Sequence, residues 1–325
     1  MSLTHNPVIS VKRLYKRFNL EAGFFARFGR FVQAINGLDF SIGKNESYGL
    51  VGESGCGKTT AARLLVRMYT PDEGSISFCG EGRGPVNILS LDKNELKKYR
   101  EKVKYVFQDP ARSLNPRMTI YEILTAGRRW SSTKANEKAY REEAEAIIEE
   151  TGLNVKDLWR RPSEFSGGQR QRISIARALL MKPELLICDE VVSALDVSIQ
   201  GQILNLLLDI RSRRDLSFLF IAHDLKIASY FCDRIGVMYR GELMEEAEAQ
   251  TLWQKGVHPY TELLFSSVAG SRIESKKNAH GASAGQNCCS FADRCICAEK
   301  RCFNEKPELK ETNPGHKVRC FIKGA

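Results

Sequence analysis

The segment Gly52-Glu53-Ser54-Gly55-Cys56-Gly57-Lys58-Thr59 has the spacing G-x-x-x-x-G-K-[ST], a loop that cradles phosphate. Its glycines let the backbone wrap an anion with the N–H groups pointing inward, and the helix that follows adds its positive dipole end. Lys58 would reach the β- and γ-phosphates, and the Thr59 hydroxyl would ligate Mg²⁺. Ser54, Gly55, Cys56 and Thr60 complete the expected nucleotide-binding stretch. A second acidic signal lies downstream, where the apolar run Leu185-Leu186-Ile187-Cys188 ends in Asp189 and Glu190. Asp189 is expected to hold Mg²⁺, and Glu190 to polarise the attacking water as a general base, a role worth roughly 10²–10⁴ in rate. A third signal is Ser166-Gly167-Gly168-Gln169 before Arg170-Gln171-Arg172. There Ser166 can cap a helix, and the two glycines permit close backbone approach to an anion.

Cysteine supplies the remaining chemistry. Of the 10 cysteines, Cys56, Cys79, Cys188 and Cys232 are scattered, whereas Cys288, Cys289, Cys295, Cys297, Cys302 and Cys320 crowd the end of the chain. Cys289, Cys295, Cys302 and Cys320 give the spacing C-x5-C-x6-C-x17-C. Without signs of secretion, such a cluster favours metal over disulfides. The spacing lacks the paired C-x2-C of zinc ribbons, and three states remain open: an iron–sulfur cluster, a zinc ion or free thiols.

An α/β frame must position these groups. Short apolar runs at 48–52, 103–107, 184–188 and 217–222 read as buried strands, and 59–68 and 171–180 carry apolar residues at helical spacing. A charged helical stretch at about 131–161 interrupts the rhythm, as a subdomain of about 110–170 would. The small, polar run at 270–287 reads as a linker. The expected organisation is therefore 1–269 for the core, 270–287 for the linker and 288–325 for a Cys-rich region. A length of 325 residues fits about two domains. At 42% hydrophobic and 27% charged the chain can bury a core, which excludes a disordered polyelectrolyte. No apolar run approaches the ~20 residues that span a bilayer, and no hydrophobic block suggests a signal peptide, so a cytoplasmic location is expected. The net charge of +10 is spread among acids, which reads as a solvated surface and gives no support for nucleic-acid binding.

With these motifs in this order, the sequence resembles the ABC ATPases, of which Ser166-Gly167-Gly168-Gln169 is diagnostic. Gln108 in Phe107-Gln108-Asp109-Pro110 matches the Q-loop, Ser193-Ala194-Leu195-Asp196 the D-loop, and His223 the switch histidine. The resemblance implies a P-loop ABC-type nucleotide-binding domain with a helical subdomain. It also implies catalytic roles for Glu190, His223 and Gln108, a Mg²⁺ contact for Gln108, and ATP held between the phosphate loop of one chain and the signature of another. Asp196 lines that shared site. By the same resemblance Phe18, from the Leu14-x-Lys16-x-Phe18 pattern, would stack on adenine, with Tyr15 as the alternative. Val191 stands where the family usually has proline after the glutamate.

The run from Phe107 to Met118, the run from Cys188 to Gln200 and His258-Pro-Tyr-Thr261 resemble the di- and oligopeptide importers, a group that includes nickel and metal-chelate importers. The insertion Gly23–Phe31, with Phe24, Phe28 and Phe31 on one helical face, resembles the second ATPase subunit of these systems. The tail, closed by Gly315-His316-x-Val318-x-Cys320, resembles a region in which four cysteines hold a 4Fe-4S cluster. The resemblance would make Cys289, Cys295, Cys302 and Cys320 the ligands and leave Cys288 and Cys297 surplus. It further implies a second, paralogous ATPase subunit, two transmembrane permeases, an extracytoplasmic solute-binding protein and a peripheral place on the inner membrane. A non-transport ABC ATPase is the alternative from another class. Translation-type members carry two ATPase domains in one chain, and DNA-repair types carry a long coiled coil; this sequence has neither.

Overall fold

The structure, a computed structural model, describes residues 7–19, 31–80, 82, 84–131, 136–268 and 288–322. The insertion before Phe31 and the 270–287 segment lie outside the described residues. Among those described, twelve strands run in chain order: β1 (Ile9–Asn19), β2 (Phe31–Ile42), β3 (Ser47–Val51), β4 (Glu73–Phe78), β5 (Val86–Asn87), β6 (Val103–Val106), β7 (Leu185–Asp189), β8 (Ser217–Ala222), β9 (Arg234–Tyr239), β10 (Glu242–Glu248), β11 (Lys310–Asn313) and β12 (His316–Val318).

They form two sheets, one of order β2-β1-β4-β5 and a larger one of order β11-β12-β10-β9-β3-β8-β7-β6. In the larger sheet β6, β7, β8, β3 and β9 are parallel. β3, β7 and β8 are buried at every residue, which is why they read as continuous apolar runs rather than alternating ones. The register sets Val51 beside Ala222 and Asp189 beside Ile221, so the carboxyl ends of three neighbouring strands lie level. That edge is where an open α/β sheet binds its ligands.

The segment from 120 to 159 holds helices Ile120–Ser131 and Glu137–Glu150 and a 3-10 turn Val155–Trp159. Ile120, Leu124, Ala144, Ile147 and Leu158 close its interior against the core, and Arg128 bridges to Glu143 at 2.7 Å.

The end of the chain is not a separate module. β12 pairs with β10, setting Glu245 beside Val318, and β11 becomes the outer edge of the main sheet. The cause lies in three buried carboxylates on β10. Glu242 pairs with Lys306, Glu245 with His316 at 2.7 Å and Glu246 with Lys317 at 3.0 Å. Buried carboxylates need partners; Asn36, Arg234 and the N–H groups of Val257 and His258 supply some from the core, and the tail supplies the rest. Phe291, Cys289, Cys295 and Cys302 are buried in the same hydrophobic core as the central strands.

Candidate functional site

The phosphate loop runs from the end of β3 into the helix Lys58–Leu65. Gly57, at φ 109°, precedes that helix and offers no side-chain cap, so the first N–H groups of the helix are not taken by a capping side chain. A Cβ on Gly57 would stand 2.3 Å from the Ala34 carbonyl oxygen, and one on Gly52 would stand 2.1 Å from that of Met238. Glycine is required at both positions. Lys58 is buried, and its Nζ donates to the carbonyls of Gly52 at 2.7 Å and Glu53 at 3.0 Å. A lysine folded back on its own loop and ready to exchange those carbonyls for phosphate oxygens suits the chemistry of the motif. Burial raises the Cys56 thiol above its usual value against the opposing charge of Lys58.

Asp189, at the end of β7, is buried, and it accepts hydrogen bonds from the Thr59 hydroxyl at 3.0 Å and from the Tyr105 hydroxyl. Burial, reinforced by Asp189, holds Tyr105 protonated well above its ordinary pKa, so it remains a donor. Thr59 and Asp189 present hard oxygen atoms side by side, the donor type Mg²⁺ prefers. Glu190 follows at φ +49°, a left-handed conformation that costs a side chain on the order of 1–2 kcal/mol. Three contacts hold it there. Its N–H donates to the Ile221 carbonyl at 3.1 Å, and its carbonyl accepts from the Ser193 N–H at 3.1 Å and hydroxyl at 2.8 Å. Gln108 Nε2 donates to the Glu190 carboxylate at 2.7 Å. A cavity of about 370 Å³ lined by Gln108, Arg63, Arg177 and Asp189 opens there. Another, of about 500 Å³, lies away from the strand ends between Phe78, Tyr99 and Glu184. His223 is exposed immediately after β8, and Val191 is buried in the core.

The structure thus gathers the 52–60 loop, Gln108, Asp189, Glu190 and His223 along one edge of the sheet. The second group, Ser166 to Gln169 with Asp196, keeps its own company. Ser166 and Gln169 cap the helix Gly167–Leu179 reciprocally, at 2.9 and 3.3 Å. Gly167 faces Leu195, and a Cβ on Gly168 would meet Ile199 at 2.6 Å, so the signature packs on the D-loop and the helix beyond it. Ser166 and Asp196 are exposed. Phe18, half-buried, meets Tyr69 edge-on at 5.2 Å with Lys16 over its ring, whereas the Tyr15 ring is packed beneath Gly37.

The tail cysteines Cys289, Cys295, Cys302 and Cys320 are neighbours. Among the described residues no group of three or more His, Cys, Asp or Glu could hold a metal ion. Burial pushes Cys289 up to about 12 and Cys295 up to about 11, and the other tail thiols near each add to the shift. Among the described residues the arrangement gives no support for the expected 4Fe-4S cluster. What the sequence reading missed is the tail's contact with the phosphate loop. Arg294 binds the Glu53 carboxylate through both terminal nitrogens, at 2.7 and 2.8 Å. The signal is an Arg and a Glu 241 positions apart, which no local pattern would pair.

A phosphate loop beside a strand-end Asp-Glu pair, on a mixed sheet with a helical insert, defines a P-loop nucleotide-hydrolysing fold. Comparison with known proteins narrows the class. Residues 35–193 match the family described as ABC transporter, and residues 244–302 match the oligopeptide/dipeptide transporter C-terminal region. The oligopeptide transport ATP-binding protein AppF of Bacillus subtilis is 41% identical over 97% of both chains. A putative peptide import ATP-binding protein of Brucella ovis is 38% identical over 98% of this chain and 99% of its own. A dimeric ATP-binding cassette in a post-hydrolysis state, bound to ADP and Pi, superposes with a TM-score of 0.64 at 26% identity, covering 74% of this chain and 98% of that one. The chain belongs to the ATP-binding proteins of the ABC transporter family, and it is an ATPase.

Proposed function

We propose that this chain is the ATP-hydrolysing, energy-coupling subunit of an ABC importer for oligopeptides. The observation that carries the reading is the level alignment of the 52–59 loop with Asp189 and Glu190 at neighbouring strand ends. The C-terminal match and the peptide-transport names of the relatives support the solute class. No described helix is long and apolar enough to cross a membrane, so membrane passage falls to permease partners. An extracytoplasmic binding protein would deliver the peptide, and this chain would sit on the cytoplasmic face of the membrane.

In this reading the 52–60 loop binds the phosphates, with Lys58 turning from the Gly52 and Glu53 carbonyls to the γ-phosphate. Thr59 and Asp189 would hold Mg²⁺, with Gln108 as a further contact; the metal would supply charge neutralisation. Phe18 stacks on adenine. Glu190 accepts the proton of the attacking water, oriented by Gln108, and His223 contacts the γ-phosphate. The Ser166–Gln169 signature, with Ser166 exposed, and the exposed Asp196 complete the site of a second ATPase chain. We keep 1–269 as the ATPase core, with the helical subdomain at 110–170 facing the permeases, and 288–325 as a segment docked onto that core. A 4Fe-4S cluster would take Cys289, Cys295, Cys302 and Cys320 as its four thiolate ligands, and iron and sulfide analysis of anaerobically purified protein decides it.

The test of the function is the ATPase rate of the purified chain alone and with its permease pair and second ATPase. A low rate alone that rises in the assembly is expected. Full turnover from a dilute, monomeric sample would contradict the shared site.

A further inference from the structure

We propose that Arg294, in the Cys-rich tail, is a positioning residue for the phosphate loop, so that nucleotide affinity depends on how the tail is docked. The proposal rests on reading the 52–59 loop as the site of ATP phosphates. Glu53 is the second residue of that loop, and every polar group it carries is held. Its N–H donates to the Tyr260 hydroxyl at 2.9 Å, its carbonyl accepts from Lys58 Nζ at 3.0 Å, and its carboxylate takes both terminal nitrogens of Arg294. The first two restraints come from the ATPase core. The third reaches in from the tail.

Arg294 is itself fixed. It closes the 3-10 turn Ala292–Arg294, its N–H donates to the Phe291 carbonyl at 3.1 Å, and its guanidinium lies 5.7 Å from the ring centres of both Tyr239 and Phe291. Phe291 is only 2% exposed and packs on Tyr239 and Tyr260, each at 5.3 Å. Tyr260 therefore touches Glu53 and the tail together. A partly exposed ion pair counts for little when both side chains are free to move. A bidentate pair whose two ends are already ordered is different, because little side-chain entropy remains to be lost. The loop is also confined on its inner side, where Gly52 has no room for a Cβ against Met238, whereas the space around Gly55 is open. Arg294 holds the outer side, where the backbone could otherwise drift away from the geometry that points its N–H groups at phosphate.

The experiment measures KM for ATP and kcat in the full chain assembled with its transporter partners, for Arg294→Gln, Arg294→Lys, Glu53→Gln, the Glu53→Gln/Arg294→Gln double variant, and Lys58→Ala as a control. Arg294→Gln and Glu53→Gln should each raise KM about five- to tenfold with kcat within about twofold. The double variant should be no worse than either single, and Arg294→Lys should recover part of the loss. An unchanged KM in Arg294→Gln while Lys58→Ala loses nucleotide would sink the positioning role and leave the phosphate loop standing. A fall in kcat at constant KM would mean a smaller folded fraction, and it too would overturn the proposal. If Lys58→Ala bound ATP like the parent, the reading of the loop itself would fail, and this role with it.

Discussion

Replacing Phe291 by Ala probes whether the Cys-rich tail is part of the ATPase core. The ring is 2% exposed, and it lies 5.3 Å from Tyr239, 5.3 Å from Tyr260 and 5.8 Å from His258. Truncating a buried Phe costs about 3–5 kcal/mol, and the edge-on contact with Tyr239 favours the upper part of that range. For 325 residues the unfolding entropy, at about 2.1 cal/mol/K per residue, converts this into a Tm drop of about 4–7 °C. Far-UV circular dichroism follows the central sheet and helices, and near-UV circular dichroism follows the Tyr239–Tyr260 environment. Both signals should move down together, because the tail shares one core with β3, β7, β8 and β9. A main transition held within about 1 °C, with only a small separate transition lost, would refute the reasoning and restore a tethered module.

Gly57→Ala places a Cβ 2.3 Å from the Ala34 carbonyl oxygen at φ 109°, so ATP affinity measured by titration should fall at least about tenfold. A variant that binds like the parent would mean that the loop tolerates a different path. Glu245 gives a pH prediction. Burial alone would raise its carboxyl, but hydrogen bonds from His316 and the N–H groups of Val257 and His258 outweigh this and hold it below 4.5. A lowered carboxylate adds stability that is present above its unfolded value and is lost as pH falls through the folded one. Glu245→Gln should therefore be less stable near neutral pH, by about 1–3 kcal/mol for a buried hydrogen-bonded group left mismatched, with a shallower loss on acidification below about pH 4.5, as read from urea midpoints. Parallel pH profiles for variant and parent would contradict that assignment.

The nucleotide edge was legible because its chemistry is local. Gly52 to Thr59 sit in one stretch, and Asp189-Glu190 end one apolar run, so spacing alone sets strand, loop and helix around them. The expected helix at 59–68 ends early, at Leu65, and the next turn passes through Arg67 at φ 54°. The antiparallel sheet was harder to read. β1 mixes Lys and Arg into its sequence, and its register shifts against β2 break the strict alternation that marks a half-buried strand. β10 reads as the acidic ELMEEAE, yet it is buried in all but its last residue, because the compensating Lys306, His316 and Lys317 come 60 to 75 positions later. The same distance hid the docking of the tail. A polar 270–287 segment suggested separation, while the contacts that join the two parts are single long-range pairs: Arg294 with Glu53, His316 with Glu245 and Phe291 with Tyr239. The tail cysteines do share one neighbourhood, although among the described residues no group of three or more His, Cys, Asp or Glu is placed to hold a metal ion.

The most direct test of the central claim is ATP-dependent uptake of a labelled oligopeptide into proteoliposomes containing this chain, its second ATPase, the permease pair and the binding protein. The parent should accumulate peptide only with Mg-ATP. Glu190→Gln, which keeps the loop, Lys58 and the Gln108 contact but loses the base, should still bind Mg-ATP while uptake falls by about 10²–10⁴. Uptake at the parent rate in the Glu190→Gln assembly, or in one lacking this chain, would contradict the claim that hydrolysis here drives import.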